Sequence, residues 1–103
     1  MKRVVVTYGI PEDPSAFESH YRETHIPLVL KMPHLRGFEI SAGDVASSDE
    51  TSAVQLVAIM TYEDQDSLDA SLGSPEGAAA VADLANFATG GVTILTIESE
   101  TIA

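Results

Sequence analysis

The chain has 103 residues and no cysteine, and its sixteen acidic against five basic residues give a net charge of −11 at pH 7. This length allows one domain, residues 1–103, with one core, and a composition of 45% hydrophobic and 20% charged residues is typical of a globular protein. The negative charge disfavours nucleic acid and anionic membrane surfaces as partners. The absence of cysteine excludes disulfides, thiol nucleophiles and thiolate metal ligands.

The N-terminal part predicts a strand followed by a helix. Residues 4–8 are rich in β-branched side chains and precede a Gly-Ile-Pro sequence, which indicates a strand that ends in a turn. Asp13 and Pro14 are residue types preferred at a helix N-cap and at the first helical position. We therefore expect a helix from about Pro14, with one face formed by Phe17, Tyr21, Thr24 and Leu28.

Pro27 interrupts this helical pattern. Proline has no N–H to donate to the carbonyl of Glu23, and it biases the preceding Ile26 away from helical dihedral angles. We therefore expect the helix to end or kink near His25, and to regain a helical turn over residues 26–32.

Three further strands are predicted in the remainder of the chain. Residues 35–42 and 53–62 show strand patterns, and the second of these is apolar on both faces. The segment between them, residues 44–52, is polar and has no aromatic residue, which is typical of a surface loop. Residues 92–98 alternate in the same way and predict the last strand.

Two short helices are predicted between the third and fourth strands. The acidic residues Glu63, Asp64 and Asp66 open the first helix, where the positive end of its dipole stabilises them, and Gly73 ends it. Ser74 and Pro75 then form a cap and a first helical position for a second helix. Its apolar residues follow helical spacing to Phe87.

The order strand–helix–strand–strand–helix–strand predicts an α+β fold, a ferredoxin-like βαββαβ sandwich with a four-stranded antiparallel sheet. In this fold both helices cover the same face of the sheet, so the other face of a monomer would be mostly polar. Here strands one, three and four are apolar on both sides. Because no element remains to cover the second face, we predict a homodimer in which two sheets pack face to face.

His25 is the candidate for acid–base chemistry, because Pro27 frees the neighbouring backbone and histidine titrates near neutral pH. Tyr21 lies one helical turn earlier on the same side and could hydrogen-bond the same ligand. A simpler role for His25 is a cap on its own broken helix, and a simpler role for Tyr21 is core packing. Both alternatives remain open on sequence alone.

His20 and His34 are weaker candidates. His20 and His25 are five residues apart, which is about 140° around an ideal α-helix. On this geometry His20 points away from His25 and the two rings do not chelate a metal. His34, beside Pro33, is interpreted as a loop residue. No phosphate-binding glycine loop or nucleophile elbow is present, so we expect neither a metal nor a cofactor.

The segment Phe17-x-x-x-Tyr21-x-x-x-His25-Ile26-Pro27-Leu28, followed by Met32-Pro33-His34-Leu35, resembles the EthD family. Ser74-Pro75-Glu76-Gly77, leading to Asp83-Leu84-Ala85-Asn86-Phe87, resembles it as well. The resemblance implies membership of the dimeric α+β barrel superfamily, so that the ferredoxin-like domain forms a dimeric α+β barrel. It also implies that His25 lies beside a cleft between helices and sheet. Relatives in this superfamily include isomerases, cyclases, cofactor-free monooxygenases and haem-handling proteins.

These observations favour a cytoplasmic protein that binds a small apolar, aromatic or oxygenated metabolite of a catabolic pathway. In the first hypothesis it is a cofactor-free isomerase, cyclase or monooxygenase, with His25 as acid/base and Tyr21 as its catalytic partner. The expected ligand-binding residues are Tyr8, Phe17, Leu28 and Tyr62. The second hypothesis is a non-catalytic accessory protein that binds the same ligand, and the third is haem binding through a histidine.

Overall fold

A four-stranded antiparallel sheet forms one layer of the protein. The computed structural model describes all residues, 1–103. The strands are β1 (Lys2–Gly9), β2 (Gly37–Ile40), β3 (Val54–Tyr62) and β4 (Val92–Glu98). They lie in the order β2-β3-β1-β4, and every neighbouring pair is antiparallel. This topology confirms the predicted α+β, ferredoxin-like fold.

The helices form a second layer on one face of this sheet. They are α1 (Pro14–His20), a π-helical turn (Tyr21–His25), α2 (Ile26–Leu30), α3 (Gln65–Leu72), α4 (Pro75–Asp83) and a 3₁₀ turn (Leu84–Asn86). Three of the helices begin with a side-chain cap, as the residue types predict. Asp13, Asp64 and Ser74 accept hydrogen bonds from backbone N–H groups of α1, α3 and α4 at 3.1, 2.8 and 3.0 Å.

The first helix continues past Pro27. In the π-helical turn the N–H of Ile26 donates to the carbonyl of Tyr21, a bond that spans five residues instead of four. This widened turn accommodates one extra residue, and Pro27 falls in the first turn of α2, where its missing N–H costs little. The expected end or kink near His25 is therefore a widened turn, and the chain stays helical to Leu30.

Strand β2 is shorter than the predicted segment 35–42. Its pairing with β3 nevertheless extends one residue beyond each end, because the N–H of Arg36 donates to Thr61 and that of Ser41 to Val57. The polar segment 44–52 contains no helix or strand and is mostly exposed, as predicted for a loop.

No helix in the structure combines the length and the apolar character needed to cross a membrane.

The main core lies between the helices and the sheet and is rich in aromatic rings. The ring of Phe87 is 5.2 to 5.7 Å from the rings of Tyr8, Phe17 and Tyr21, measured between centroids. The buried members of this core are Val4, Val6, Tyr8, Phe17, Tyr21, Leu56, Ala58, Tyr62, Leu68 and Phe87. Aromatic pairs at such distances contribute about 0.5–1.5 kcal/mol each beyond the area they bury.

The other face of the sheet carries apolar side chains that no part of the chain covers. At its centre Val5 pairs with Ile59 of β3 and with Leu95 of β4. Leu95 and Ile97 are 53% and 44% exposed. The resulting slab measures 35 × 35 × 18 Å. Its accessible surface is 6247 Å², whereas a compact monomer of this mass exposes about 5,600 Å².

Gly77 sets the distance between α4 and α3. A Cβ atom at this position would lie 2.2 Å from the carbonyl oxygen of Ser71 and 2.9 Å from that of Leu72. We predict that Gly77→Ala lowers the free energy of unfolding by about 1–3 kcal/mol, because the two backbones must move apart. Urea denaturation measures this change. Glu76→Ala, an exposed substitution in the same turn, serves as the control and should change stability by less than about 0.5 kcal/mol.

Candidate functional site

His25 is the last residue of the π-helical turn, and the turn directs its ring into the space between helices and sheet. The residue is buried, with 4% of its surface exposed. Its Nδ1 lies 2.9 Å from Oδ2 of Asp83. No protein group bonds to Nε2 of His25. Every fully enclosed side-chain nitrogen or oxygen in the structure has a hydrogen-bond partner. Because Nε2 has none, it is not fully enclosed and is therefore accessible.

Asp83, the last residue of α4, is the functional residue that sequence reasoning did not identify. Its carboxylate is buried and receives three side chains: Nδ1 of His25, Nε2 of His20 and Nδ2 of Asn86. A usable signal was present in the sequence. Asp83 shares the apolar face of its helix with Ala80 and Phe87, and it lies at the helix C-terminus, where the dipole disfavours a negative charge. An acidic residue in such a position requires specific partners.

The prediction that His20 points away from His25 is wrong. Nε2 of His20 lies 2.9 and 3.1 Å from the two carboxylate oxygens of Asp83, the same group that holds His25. The angle of 140° between the two histidines applies to an ideal α-helix. In the π-helical turn each residue advances by a smaller angle, so residues five apart lie nearly above one another.

The electrostatics of the cluster define the protonation state of His25. Burial lowers the pKa of His25 below its usual value of 6.5, and its hydrogen bond to Asp83 only partly offsets this effect. Burial would raise the pKa of Asp83, but the hydrogen bonds from Asn86, His20 and His25 hold it below its usual value. At neutral pH the carboxylate is thus ionised and accepts the Nδ1 proton of a neutral His25. The lone pair of that ring is on Nε2.

A partly open apolar cavity of about 220 Å³ lies beside His25, between α2, α4 and the β1–β4 side of the sheet. His25 and Thr96 are the two polar residues of its wall, and the other eleven are hydrophobic. The lining residues are Val4, Val6, Tyr8, His25, Val29, Met32, Met60, Leu72, Ala80, Val81, Leu84, Ile94 and Thr96. A larger open pocket of about 580 Å³ faces the 43–50 loop, is mainly polar, and does not include His25.

The predicted site residues lie in different places. Tyr8 and His25 line the cavity, whereas Phe17, Leu28 and Tyr62 are not among its lining residues. Phe17 and Tyr62 belong to the main core, where the Tyr62 hydroxyl is 2.9 Å from Oγ of Ser71. Leu28 packs against the smaller cluster of Val29, Met32 and Ala80.

Tyr21 is also a core residue, and it supports the His25 ring from one side. The two ring centroids are 5.3 Å apart. Burial raises the pKa of Tyr8 to about 12, and burial together with the neighbouring Tyr8 raises the pKa of Tyr21 further above its usual range. Both hydroxyls are therefore neutral at physiological pH.

No group of three or more His, Asp or Glu side chains in the structure has the arrangement of a metal site.

The fold and the site together define an α+β protein in which helices and sheet form a partly open apolar cavity that ends at a carboxylate-bound histidine. The chain belongs to the EthD family, since the EthD domain matches residues 11–91. An uncharacterized 11.0 kDa protein in the thcB-thcC intergenic region of Rhodococcus erythropolis is 40% identical to it. That alignment covers 99% of this chain and 98% of the relative.

Solved structures agree with this assignment. An ethyl tert-butyl ether d (EthD) family protein from Bacillus halodurans superposes with a TM-score of 0.87 at 33% identity, over 97% of this chain and 99% of that one. SnoaB, a cofactor-independent oxygenase from Streptomyces nogalater, superposes with a TM-score of 0.67 at 17% identity, over 98% and 95% of the two chains. At such low identity the second similarity supports the fold alone.

The lowered pKa of His25 predicts a pH-dependent stability. Above pH 6.5 the ring is neutral in both folded and unfolded chains; below it, the unfolded chain binds the proton first. Stability is therefore lost as the pH falls from 6.5 through the lower pKa of the folded state. We expect the melting temperature to fall by several degrees between pH 7.5 and 5.5.

His25→Asn isolates this contribution, because its amide can still donate to Asp83 but does not titrate. The melting temperature of the variant should fall by fewer degrees than that of the wild type over the same pH range. Equal losses in the two proteins would contradict the assignment, since the remaining acidic and histidine groups are common to both.

Proposed function

We propose that this protein binds a small, uncharged, largely apolar molecule in the cavity beside His25, and that His25 acts on it as a general base. One observation carries the proposal: Nδ1 of His25 is held by Asp83 at 2.9 Å, while Nε2 is accessible and has no protein partner. A neutral imidazole that is fixed at one nitrogen and free at the other is suited to accept a proton near neutral pH.

The cavity wall supports an uncharged ligand. No lysine or arginine lines the cavity, and the chain has a net charge of −11, so neither the wall nor the surrounding field favours an anion. An apolar cavity of about 150 Å³ is large enough to bind benzene. The volume of about 220 Å³ found here therefore suits a single aromatic ring or an alicyclic ring with substituents.

The chemistry begins with a proton transfer. A proton from an O–H bond or an activated C–H bond of the ligand passes to Nε2 of His25, and the bonding electrons remain on the ligand as an anion. Asp83 stabilises the imidazolium that forms, through its hydrogen bond to Nδ1. Isomerisation, cyclisation and cofactor-independent oxygenation all can start in this way. The oxygenase activity of the Streptomyces nogalater protein, which shares the fold, is compatible with the last of these.

Turnover of the natural ligand tests the role of His25. Native mass spectrometry of the protein purified from its own cells identifies a retained molecule, which then serves as the substrate. We expect His25→Asn to lower kcat by about 10²–10⁴-fold, the usual contribution of a general base. His34→Asn, which changes an exposed histidine with a positive φ that asparagine tolerates, is the control and should keep its activity.

The non-catalytic alternative gives a different result in the same experiment. A retained ligand that binds with the same affinity to the wild type and to His25→Asn, without any product from either protein, would replace the enzyme proposal by that of a binding protein. Unchanged turnover by His25→Asn would reject His25 as the base and leave the cavity as the site.

We further propose that the protein is a homodimer through the sheet face that lacks helices. Val5, Ile59 and Leu95 form a continuous apolar centre on this face, and Leu95 remains 53% exposed in the single chain. Apolar surface of this extent is usually covered in soluble proteins. A second copy supplies a matching surface, because a twofold axis pairs the same patch with itself.

Leu95→Glu tests the dimer, because it places a charge at the centre of the proposed interface. We expect the wild type to have the mass of a dimer in light scattering at micromolar concentration, and Leu95→Glu to have that of a monomer. Leu30→Glu is the matched control, since Leu30 is an apolar residue of α2 that is 62% exposed on the other side of the molecule. A monomeric wild type would contradict the proposal.

A further inference from the structure

The carboxylate of Asp83 joins two imidazole rings. Oδ2 lies 2.9 Å from Nδ1 of His25, and Oδ1 lies 2.9 Å from Nε2 of His20, which is also within 3.1 Å of Oδ2. Asn86 donates to Oδ1 at 3.0 Å and carries no charge. The two histidines therefore compete for one negative group.

The two rings open to different spaces. The side chain of His25 is 5% exposed and lines the apolar cavity, whereas that of His20 is 28% exposed. His20 lines a separate surface pocket of about 300 Å³ formed with residues 11–13 and the segment around Phe87. The ring of Phe87 lies beside both histidines, with its centroid 5.2 Å from that of His20 and 4.7 Å from that of His25. The cluster therefore lies between the apolar cavity and this second, surface pocket.

Few charged groups lie around the cluster, and the nearby cation Arg22, whose charge acts on Tyr21, is paired with Glu18 at 3.0 Å. Tyr8 of β1 and Tyr21 of the π-helical turn face it as neutral phenols, and Glu12 and Asp13 line the surface pocket beside His20. No lysine or arginine lines either the cavity or this pocket. Any positive charge that neutralises Asp83 must therefore come from one of the two imidazoles.

We propose that His20 and His25 share Asp83 as their single counter-ion, so that the cluster holds one additional proton at a time, on either ring but not on both. A proton on the more hydrated His20 forms an ion pair with Asp83 and opposes a second positive charge on His25. His20 is thus a positioning residue that, when neutral, leaves Asp83 free to stabilise a proton on His25. The idea that His25 receives its proton from a bound molecule rests on the proposed function. The competition between the two rings for Asp83 does not rest on it.

A titration followed by NMR tests the competition without any substrate. Protein labelled with ¹⁵N in histidine is titrated from pH 8 to 5, and the ring nitrogens of His25 are followed in the wild type and in His20→Gln. The glutamine amide can replace the donor Nε2 of His20 but does not carry a proton charge. We expect the midpoint of His25 to rise by about one pH unit in His20→Gln. His34→Asn is the control and should leave this midpoint unchanged.

A purely structural role of His20 predicts another outcome. An unchanged or lower midpoint of His25 in a folded His20→Gln, as judged by an otherwise conserved amide spectrum, would overturn the proposal. If His20→Gln does not fold, the wild type decides: the ring-nitrogen shifts of His20 and His25 should together account for one proton over the titrated pH range, with neither ring reaching the full shift of an imidazolium while the other does. Full protonation shifts on both rings would overturn the proposal. Neither result depends on whether His25 is catalytic, so a failure here is distinct from a failure of the proposed function.

Discussion

An enclosed carboxylate stays ionised only if several donors satisfy it, and the arrangement of the whole helical layer serves this requirement at Asp83. The three donors come from two parts of the chain: His20 and His25 from the first long helix, and Asn86 from the turn that follows α4. The hydrogen bonds therefore fix how the two helical segments lie against each other. They also hold the buried histidine ring at the inner end of an apolar space that would otherwise give it no preferred orientation.

The π-helical turn makes this arrangement possible. In a regular α-helix, two side chains five positions apart diverge, and a single carboxylate does not reach both of them. One widened turn corrects the direction of His25 and at the same time absorbs Pro27, whose ring does not fit the interior of a regular helix. Proline is thus compatible with a continuous helix here because the irregular turn lies just before it. Such turns are frequent at functional sites.

The fold was largely predictable from the sequence, because the strands, caps and glycine stops each carry a local signal. Asp13, Ser74 and the alternation in residues 54–62 all act within a few residues of their position in the chain. The site was predictable only in part. The nearby Pro27 indicated His25 as a candidate. Asp83 is 58 residues away from it, and no local sequence rule pairs the two residues. The role of His20 was missed because regular helix geometry was assumed where the backbone departs from it.

Apart from His25, the cavity and the charged cluster draw on different side chains. The wall facing a ligand includes Val4, Val29, Met32 and Ile94, and none of them contacts the carboxylate through a hydrogen bond. Aliphatic residues of similar volume exchange at modest cost in a packed interior. The shape of the space can therefore change by such exchanges while the histidines and their counter-ion stay in place. The histidine–aspartate cluster can therefore stay the same while the ligand specificity of the cavity changes. Related chains with the same histidine and aspartate need not share a ligand.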